Sequence, residues 1–410
     1  MPTTRTLRSG EFIVLTACIM LLTALAIDIM LPAFAELRAY FGLSQDSTAT
    51  AQIVTFFFLG QVGQIIFGPL SDRFGRLAVL RTGFALYIAG SVAAALAPNL
   101  NLILAARFVV GMGAAALTVA AVAGVRDRFA GDKMARTMSL VMTIFLFVPV
   151  VAPLIGAAIL SVAPWQAVFL TPALFAVIIL LWSFRLTESL PPERRLQLNP
   201  STLFRSARSV LGSSVFMRYT LMSTVLFSAF SSYVGSAERM IGEIYGRPDL
   251  FVLIFAAVGI TMAGFTFLNA SLVGRFGTQR SLRGLLLAYL LVACLLLAFT
   301  LFQNGIPTMF IFFALVALLQ SIHVAASSNS GALALEPMQS TAGMAAAING
   351  TAFFVIGSMM GAFIDSLLID SLLPLAVGYA VAGLIALLLA YTGQARSLAT
   401  PPAAAASSAD

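Results

Sequence analysis

Twelve long apolar runs, each bounded by short polar segments, set the rhythm of this chain. They lie near residues 12–34, 48–70, 77–97, 100–125, 135–162, 165–186, 217–237, 249–273, 281–302, 306–333, 341–364 and 371–393. An α-helix needs about 20 apolar residues to cross the hydrocarbon layer, and each run is near that length. The pattern therefore predicts an all-α membrane protein with twelve transmembrane helices.

Composition agrees. With 60% hydrophobic and 10% charged residues in 410, and a mean hydropathy of +1.00, the chain cannot hide its apolar surface in a water-soluble core. Charge then gives orientation, because cytoplasmic loops retain Lys and Arg. Of the 23 basic residues, Arg38, Arg239 and Arg247 fall on one side and Arg107 within a span; the rest fall on the other side, alternating loop by loop. Both termini are expected in the cytoplasm, and topology accounts for the net charge of +7, so binding to nucleic acid loses its main support. Arg5, Arg8 and the run ending Ala24-Leu25-Ala26 also resemble a cleavable signal. Cleavage would leave an odd number of spans, so the segment reads as a retained helix. Cys18 and Cys294 sit in separate predicted helices and indicate neither a disulfide nor a metal site.

The chain looks duplicated. A charged turn, Gly68-Pro69-Leu70-Ser71-Asp72-Arg73-Phe74-Gly75-Arg76, has a worn copy in Leu272-Val273-Gly274-Arg275-Phe276-Gly277, offset by 202 residues. The expected organisation is a cytoplasmic N-terminus (1–11), a first six-helix bundle (12–186), a cytoplasmic linker (187–216) containing Pro191-Pro192-Glu193-Arg194-Arg195, a second six-helix bundle (217–393) and a disordered, Pro-, Ala- and Ser-rich tail (394–410). Parallel six-helix repeats are a signature of one large transporter class.

Several segments carry a family resemblance. The charged turn resembles the loop 2–3 signature of the major facilitator superfamily. Leu104-Ala105-Ala106-Arg107-Phe108-Val109-Val110-Gly111 resembles that family's helix 4 motif. Val148-Pro149-Val150-Val151-Ala152-Pro153-Leu154-Ile155-Gly156 is similar to its helix 5 antiporter motif, with Ala152 and Ala157 in place of two usual glycines. Ala26-Ile27-Asp28-Ile29-Met30-Leu31-Pro32-Ala33 and Val125-Arg126-Asp127-Arg128-Phe129-Ala130 are similar to the Bcr/CflA branch of drug exporters and its phenicol-exporting relatives. The likeness runs nearly end to end and is less sharp in the second half. It implies two pseudo-symmetric bundles in a bacterial cytoplasmic (inner) membrane, working as a monomer by proton-coupled antiport. The implied partners are a small-molecule substrate, protons and membrane lipid, with no cofactor and no metal.

Asp28 is the first candidate for proton coupling. A carboxylate deep in a span costs about 2.5–3.5 kcal/mol on insertion scales, and burial disfavours its charged form, so it can take up a proton and release it when its cavity opens to water. The alternative is a fixed hydrogen-bonding group near the membrane interface before Pro32. Arg107 is the matching intramembrane cation, which must find a carboxylate, carbonyls or water; it either modulates proton release or bridges helices. Gly68, Asp72, Arg73, Gly75, Arg76 and Asp127 form the candidate cytoplasmic gate, in which the glycines permit tight turns and Asp72, Arg76 and Asp127 cluster their charges. The alternative is a solvated loop that obeys the positive-inside rule. The resemblance further implies that Asp72 caps a later helix near Ser340 and Thr341, where a helix dipole is worth about 0.3–1 kcal/mol.

Pro149, Pro153 and Gly156 predict a bent, closely packed fifth helix; the resemblance implies a seal against leak. Phe56, Gln61, Phe227, Phe230 and Tyr233 are the tentative substrate-cavity residues, although aromatic stripes in membrane helices also face lipid. Glu238 and Arg239 read as a sign of a different substrate or as an ion pair in an outer loop. His323 is either a proton relay or a hydrogen-bonded packing residue. Asp365 and Asp370 read as solvated residues of the last outer turn, and Gly357 with Gly361 as a close-contact pair. An intramembrane enzyme needs a nucleophile with its base, or clustered ligands. One His and two isolated Cys do not supply them. Export of small amphipathic drugs is the leading reading, export of an amino acid or another metabolite the second. A signalling protein that merely keeps the fold is the third, and Asp28, Arg107 and the hinge count against it.

Overall fold

Polar caps and left-handed glycines divide the chain into helices. The computed structural model describes residues 8–195, 199–338 and 341–398, and these are helical apart from short connections. The expected cytoplasmic start (residues 1–7), Ser340 and the tail beyond 398 lie outside the described residues. In the first half the helices are α1 (Ser9–Asp28), α2 (Phe34–Tyr40), α3 (Gln52–Gly60), α4 (Gly63–Phe74), α5 (Arg76–Ala95), α6 (Leu100–Arg128), α7 (Gly131–Leu146), α8 (Val148–Leu160) and α9 (Gln166–Ser183). The second half has α10 (Pro200–Leu211), α11 (Ser214–Arg239), α12 (Phe251–Phe276), α13 (Thr278–Phe302), α14 (Met309–Leu335), α15 (Ala342–Thr351), α16 (Gly357–Leu367) and α17 (Leu373–Leu398).

The starts are encoded locally. Asn99 accepts from the Leu102 N–H, and Ser213 from the Phe216 N–H, each satisfying a backbone donor that a helix start leaves free. Gly75 (φ +97°) ends α4, and Gly277 (φ +78°) ends α12, so both copies of the repeated turn use a backbone conformation that favours glycine. Gly68 does not: it lies inside α4, and a Cβ there would meet nothing within 4 Å. Its expected part in a tight turn is therefore corrected.

Ten helical segments among the described residues are long and apolar enough to cross a bilayer. Two expected spans depart from a single straight helix. The fifth is broken between α7 and α8, where Pro149 lacks the donor that would carry the helix on. The seventh, α11, is joined to α10 at a bend of 77°, so the linker contributes a helix, which packs on α15 and α11. The protein is a multi-pass membrane protein, with lipid-facing side chains such as Leu181, Phe267, Leu291, Phe310 and Phe363 exposed on the helix exteriors.

Within the first half α5 packs on α6 and α9, and α6 on α1, α3 and α4; within the second, α11 packs on α14, α16 and α17. Contacts across the halves join α3 to α11 and α16, α4 to α15, and α8 to α12. Small residues set the approach. A Cβ at Gly60 or Gly111 would run into the backbone of the other helix, so α3 and α6 cross at glycine contact distance. Gly357 and Gly361 do the same for α16 on α11, where a Cβ would come within 2.7 Å of the Phe227 ring or the Ser228 carbonyl oxygen. The expected close-contact pair is present, and its partner is the seventh span.

Candidate functional site

Asp28 ends α1 and is buried, 6% exposed. Among the described residues no side chain donates a hydrogen bond to its carboxyl. It interacts electrostatically with Tyr233 of α11, which places it towards the second half of the molecule. The Tyr233 hydroxyl is itself buried without a hydrogen-bond partner, and its ring lies parallel to that of Phe255 at 5.9 Å. Arg107 turns elsewhere. Its Nη2 donates to the Ala26 carbonyl at 2.8 Å, its guanidinium stands 4.8 Å from the Phe57 ring centroid, and its Nε has no partner. Arg107 thus ties α6 to the backbone of α1 two residues before Asp28, and among the described residues no ion pair joins the two.

The fifth span holds α1 in place. A Cβ on Gly156 would collide with the Ile29 carbonyl and approach Pro32 to 3.4 Å, while Ala152 and Val148 pack with Ala24, Leu25 and Ile29. Pro149 and Val150 reach the other half, lying 3.4 and 3.1 Å from a Cβ built on Gly259 of α12. Pro153 sits buried within α8.

Next to this level lies an aromatic seam. Phe58 of α3 meets Phe227 of α11 at 5.1 Å and stacks on Phe354 at 5.6 Å. Phe227 also contacts Phe230, Phe353 and His323. His323, from α14, stacks on Phe230 at 5.1 Å and has Ser327 Oγ 3.3 Å from its Nδ1. Phe353 and Phe354 stand on a π-helical segment, Ala352–Ile356, between α15 and α16; such segments are frequent at functional sites. Phe227 and Phe230 therefore join one cluster, with Tyr233 a turn further along α11. Phe56 is half-buried and contributes no ring to it, and Gln61 turns inward, donating to the Gly111 carbonyl and accepting from Gln64. From the same span Phe58 joins the seam, and Gln64 Oε1 lies against Gly350 of α15.

At the end of the bundle that carries most arginines, Arg76 gathers the expected charges. Its Nη1 is 2.5 Å from Asp72 Oδ1 and donates to Ser71 Oγ at 3.2 Å, and its Nε is 3.0 Å from Asp127 Oδ2. Ser189 also donates to Asp127. Glu188 completes the cluster: its two carboxylate oxygens accept from the Arg76 and Leu77 N–H groups at 2.9 and 3.1 Å, capping α5. A carboxylate at a helix start is favoured by the dipole. A Cβ at Gly75 would be 2.5 Å from Glu188 Oε2, so that glycine is required for space as well as for φ. Arg73 is exposed and stands 5.1 Å over the Phe74 ring, outside the cluster.

The opposite end is closed by a second set of charges. Arg38 of α2 donates to Glu238 through Nη1 and Nη2 at 2.9 and 3.0 Å, and to Glu243 at 3.1 Å. Arg239 donates to the carbonyls of Leu368 and Ile369, and to that of Asp46 at 3.5 Å. Asp365 corrects the sequence expectation: it is 4% exposed, and its Oδ1 accepts from Ser232 at 2.6 Å and Ser236 at 2.8 Å. Asp370 is exposed, as expected.

Comparison with known proteins fits this architecture. The family model described as Major Facilitator Superfamily matches residues 16–362. The chain belongs to the major facilitator superfamily. Among its superfamily relatives are an uncharacterized MFS-type transporter of Bacillus subtilis, YdgK, 31% identical and covering 83% of this chain and 85% of that one. A bicyclomycin resistance protein homolog of Haemophilus influenzae is 28% identical, covering 94% and 97%. The multidrug resistance protein MdtL of Escherichia coli is 29% identical over 62% and 64%. Two solved superfamily structures share the fold: a D-xylose-proton symporter (TM-score 0.71, 17% identity, 93% and 96% covered) and the human organic anion transporter MFSD10 (0.68, 19%, 95% and 99%). Family and fold are those of membrane transporters of small molecules rather than of enzymes.

For this superfamily member, sequence reasoning missed Glu188, Arg38 as the partner of Glu238, and the burial of Asp365 against α11. Glu188 left no local signal, because the helix start it caps lies 112 positions earlier. The others depend on which helix faces which, and on partners 129 to 200 positions apart.

Proposed function

We propose that the chain is a proton-coupled exporter of small amphipathic drugs, of the phenicol, bicyclomycin or sulfonamide-like type. It works by alternating-access antiport as a monomer in a bacterial cytoplasmic membrane, with the arginine-rich end inside. The observation that carries the reading is Asp28, a buried carboxyl of the first half within electrostatic reach of Tyr233 of the second, whose hydroxyl is buried without a partner, on the same helix as the aromatic seam between the halves. The resistance-protein relatives support the substrate class.

In this reading a substrate with a ring system and a polar edge parts the seam, taking Phe58, Phe227, Phe353 and Phe354 as its walls. Substrate binding on the inner side favours loss of the Asp28 proton, and reprotonation from outside favours substrate release. A ligand shifts the two states only by its difference in affinity for them, and a carboxyl that is dry in one state and wet in the other supplies that difference for the proton. The cluster of Arg76, Asp72 and Asp127 is half-exposed, so it contributes a bias small enough to reverse. Glu238, the residue that would have favoured a charged metabolite, is committed to Arg38, and the metabolite reading loses its support.

The test is efflux from proteoliposomes under an imposed pH gradient, with a panel of phenicols, sulfonamides and fluorescent dyes. Asp28→Asn should bind substrate and lose gradient-driven transport. Gradient-driven transport at the parent rate would remove Asp28 from the coupling role.

A further inference from the structure

Asp365 is held in an unusual setting for a carboxyl. One oxygen, Oδ1, accepts from two hydroxyls one turn apart on α11, those of Ser232 and Ser236. The other, Oδ2, lies 3.2 Å from a Cβ built on Gly235, and that same point is 3.3 Å from the Ala51 Cβ and 3.5 Å from the Ala51 carbonyl oxygen. Oδ2 therefore sits at the junction of three segments: α16 and α11 of the second half, and the short turn Thr48–Ala51 of the first.

Among the described residues no hydrogen-bond donor reaches Oδ2, and Ala51, across the Gly235 position, offers only a methyl and a carbonyl oxygen. A negative oxygen there goes without a donor, and a protonated oxygen meets no such penalty. The surroundings offer limited relief. α3, the Thr48–Ala51 turn and the π-helical segment carry no titratable side chain. α17 brings Tyr379, whose electrostatic partners are Tyr289 and Tyr233. From α11, Glu238 is bound by Arg38, and Arg239 attracts Asp365 from a distance while donating to Leu368, Ile369 and Asp46 carbonyls. Among the described residues no ion pair joins Arg239 to Asp365.

We propose that Asp365 is a second proton-binding carboxyl, on the half of the chain opposite to Asp28, and that the end of the molecule closed by Arg38 and Glu238 shuts when Asp365 holds a proton. Opening that end separates Ala51 from Gly235, admits water to Oδ2 and lets the proton leave. Each half then carries one carboxyl that is dry in one state and wet in the other. The sign follows directly: closure takes up a proton, so the closed state dominates at low pH and is lost as pH rises. This rests on the alternating-access reading above, but not on the coupling role of Asp28.

The experiment measures spin-label distances between Gln45→Cys and Asp249→Cys, on a Cys18→Ala, Cys294→Ala background, in lipid nanodiscs from pH 5 to 9. No substrate and no gradient are present. The parent should pass from a short to a long distance with one midpoint, whereas Asp365→Asn should stay short throughout. Ser232→Ala with Ser236→Ala removes the donors that stabilise the anion, and should move the midpoint up by about one pH unit, a tenfold change in proton affinity. Asp28→Asn should still pass from the short to the long distance as pH rises, because Asp365 titrates without it. A parent without pH dependence, an Asp365→Asn protein with the parent profile, or a serine double variant with an unmoved midpoint would each overturn the proposal; the last holds even if Asp365→Asn does not fold. A pH-responsive parent whose Asp28→Asn form still transports under a gradient would refute the Asp28 assignment and leave that of Asp365 standing.

Discussion

Arg38 and Glu238 come from opposite halves of the chain, 200 residues apart, and meet in a two-bond ion pair at 2.9 and 3.0 Å with both side chains buried. Removing one member of a buried pair leaves an uncompensated charge and costs about 3–5 kcal/mol, here softened by Glu243, which keeps one contact with Arg38. Glu238→Ala should therefore open this end, read as a longer distance between Gln45 and Asp249 labels at fixed pH. Arg38→Met with Glu238→Leu should restore the short distance, because the apolar pair needs no compensation. A single variant that stays closed would mean that the pair does not hold the halves together.

Tyr233→Phe should separate stability from coupling. The hydroxyl has no hydrogen-bond partner to lose, so the thermal midpoint should stay within about 1 °C, since ordinary substitutions without a named defect lie within about 0.5 kcal/mol. Its electrostatic contact with Asp28 should nevertheless make the pH profile of efflux shift. A fall in stability with an unchanged profile would assign Tyr233 a packing role.

Glycine substitutions should divide sharply by contact. Gly156→Ala places a methyl against the Ile29 carbonyl, and Gly111→Ala one against the Phe57 carbonyl; neither neighbour is a movable side-chain tip. Both should lower the thermal midpoint or abolish purification as a monodisperse protein. Gly264→Ala, with nothing within 4 Å inside α12, should be neutral or raise stability by about 0.5–1 kcal/mol. Equal behaviour of the three would disprove the backbone contacts at α1–α8 and α3–α6.

At the arginine-rich end, Glu188→Gln and Asp72→Asn should differ. Glu188 caps two backbone donors of α5, and losing a cap costs about 0.5–2 kcal/mol, visible as a lower midpoint in thermal unfolding. The Asp72 side chain is 42% exposed, so its pair with Arg76 should contribute at most about 1 kcal/mol. Asp72→Asn should leave the midpoint nearly unchanged and alter the balance of states in spin-label distances across α4 and α15. Unchanged distances would sink the latch.

What the sequence displayed and what it hid have different physical origins. Length and hydropathy set the spans, and the cluster of Asp72, Arg76 and Asp127 was legible because Asp72 and Arg76 lie four residues apart across the Gly75 turn and Asp127 stands at the end of a neighbouring span. Gly357 and Gly361 were legible because four-residue spacing puts them on one face. Asp365 was not. A residue near a helix end reads as solvated unless the facing helix is known, and nothing local announces that Ser232 and Ser236 will face it. The choice between Phe56 and Phe58 was hidden for the same reason: residues two positions apart point about 200° apart on a helix, and only the position of α11 decides which one meets Phe227.

Glu188 changes the meaning of the segment that joins the halves. By binding the start of α5 it staples the connecting strand to the first half as far as Leu190, while α10 packs on α15 and travels with the second. No contact described above uses residues 191–195, so scission of the chain there leaves them all intact. Each half can be supplied as a separate polypeptide, and a transporter reassembled from two co-expressed chains should keep both of its closures.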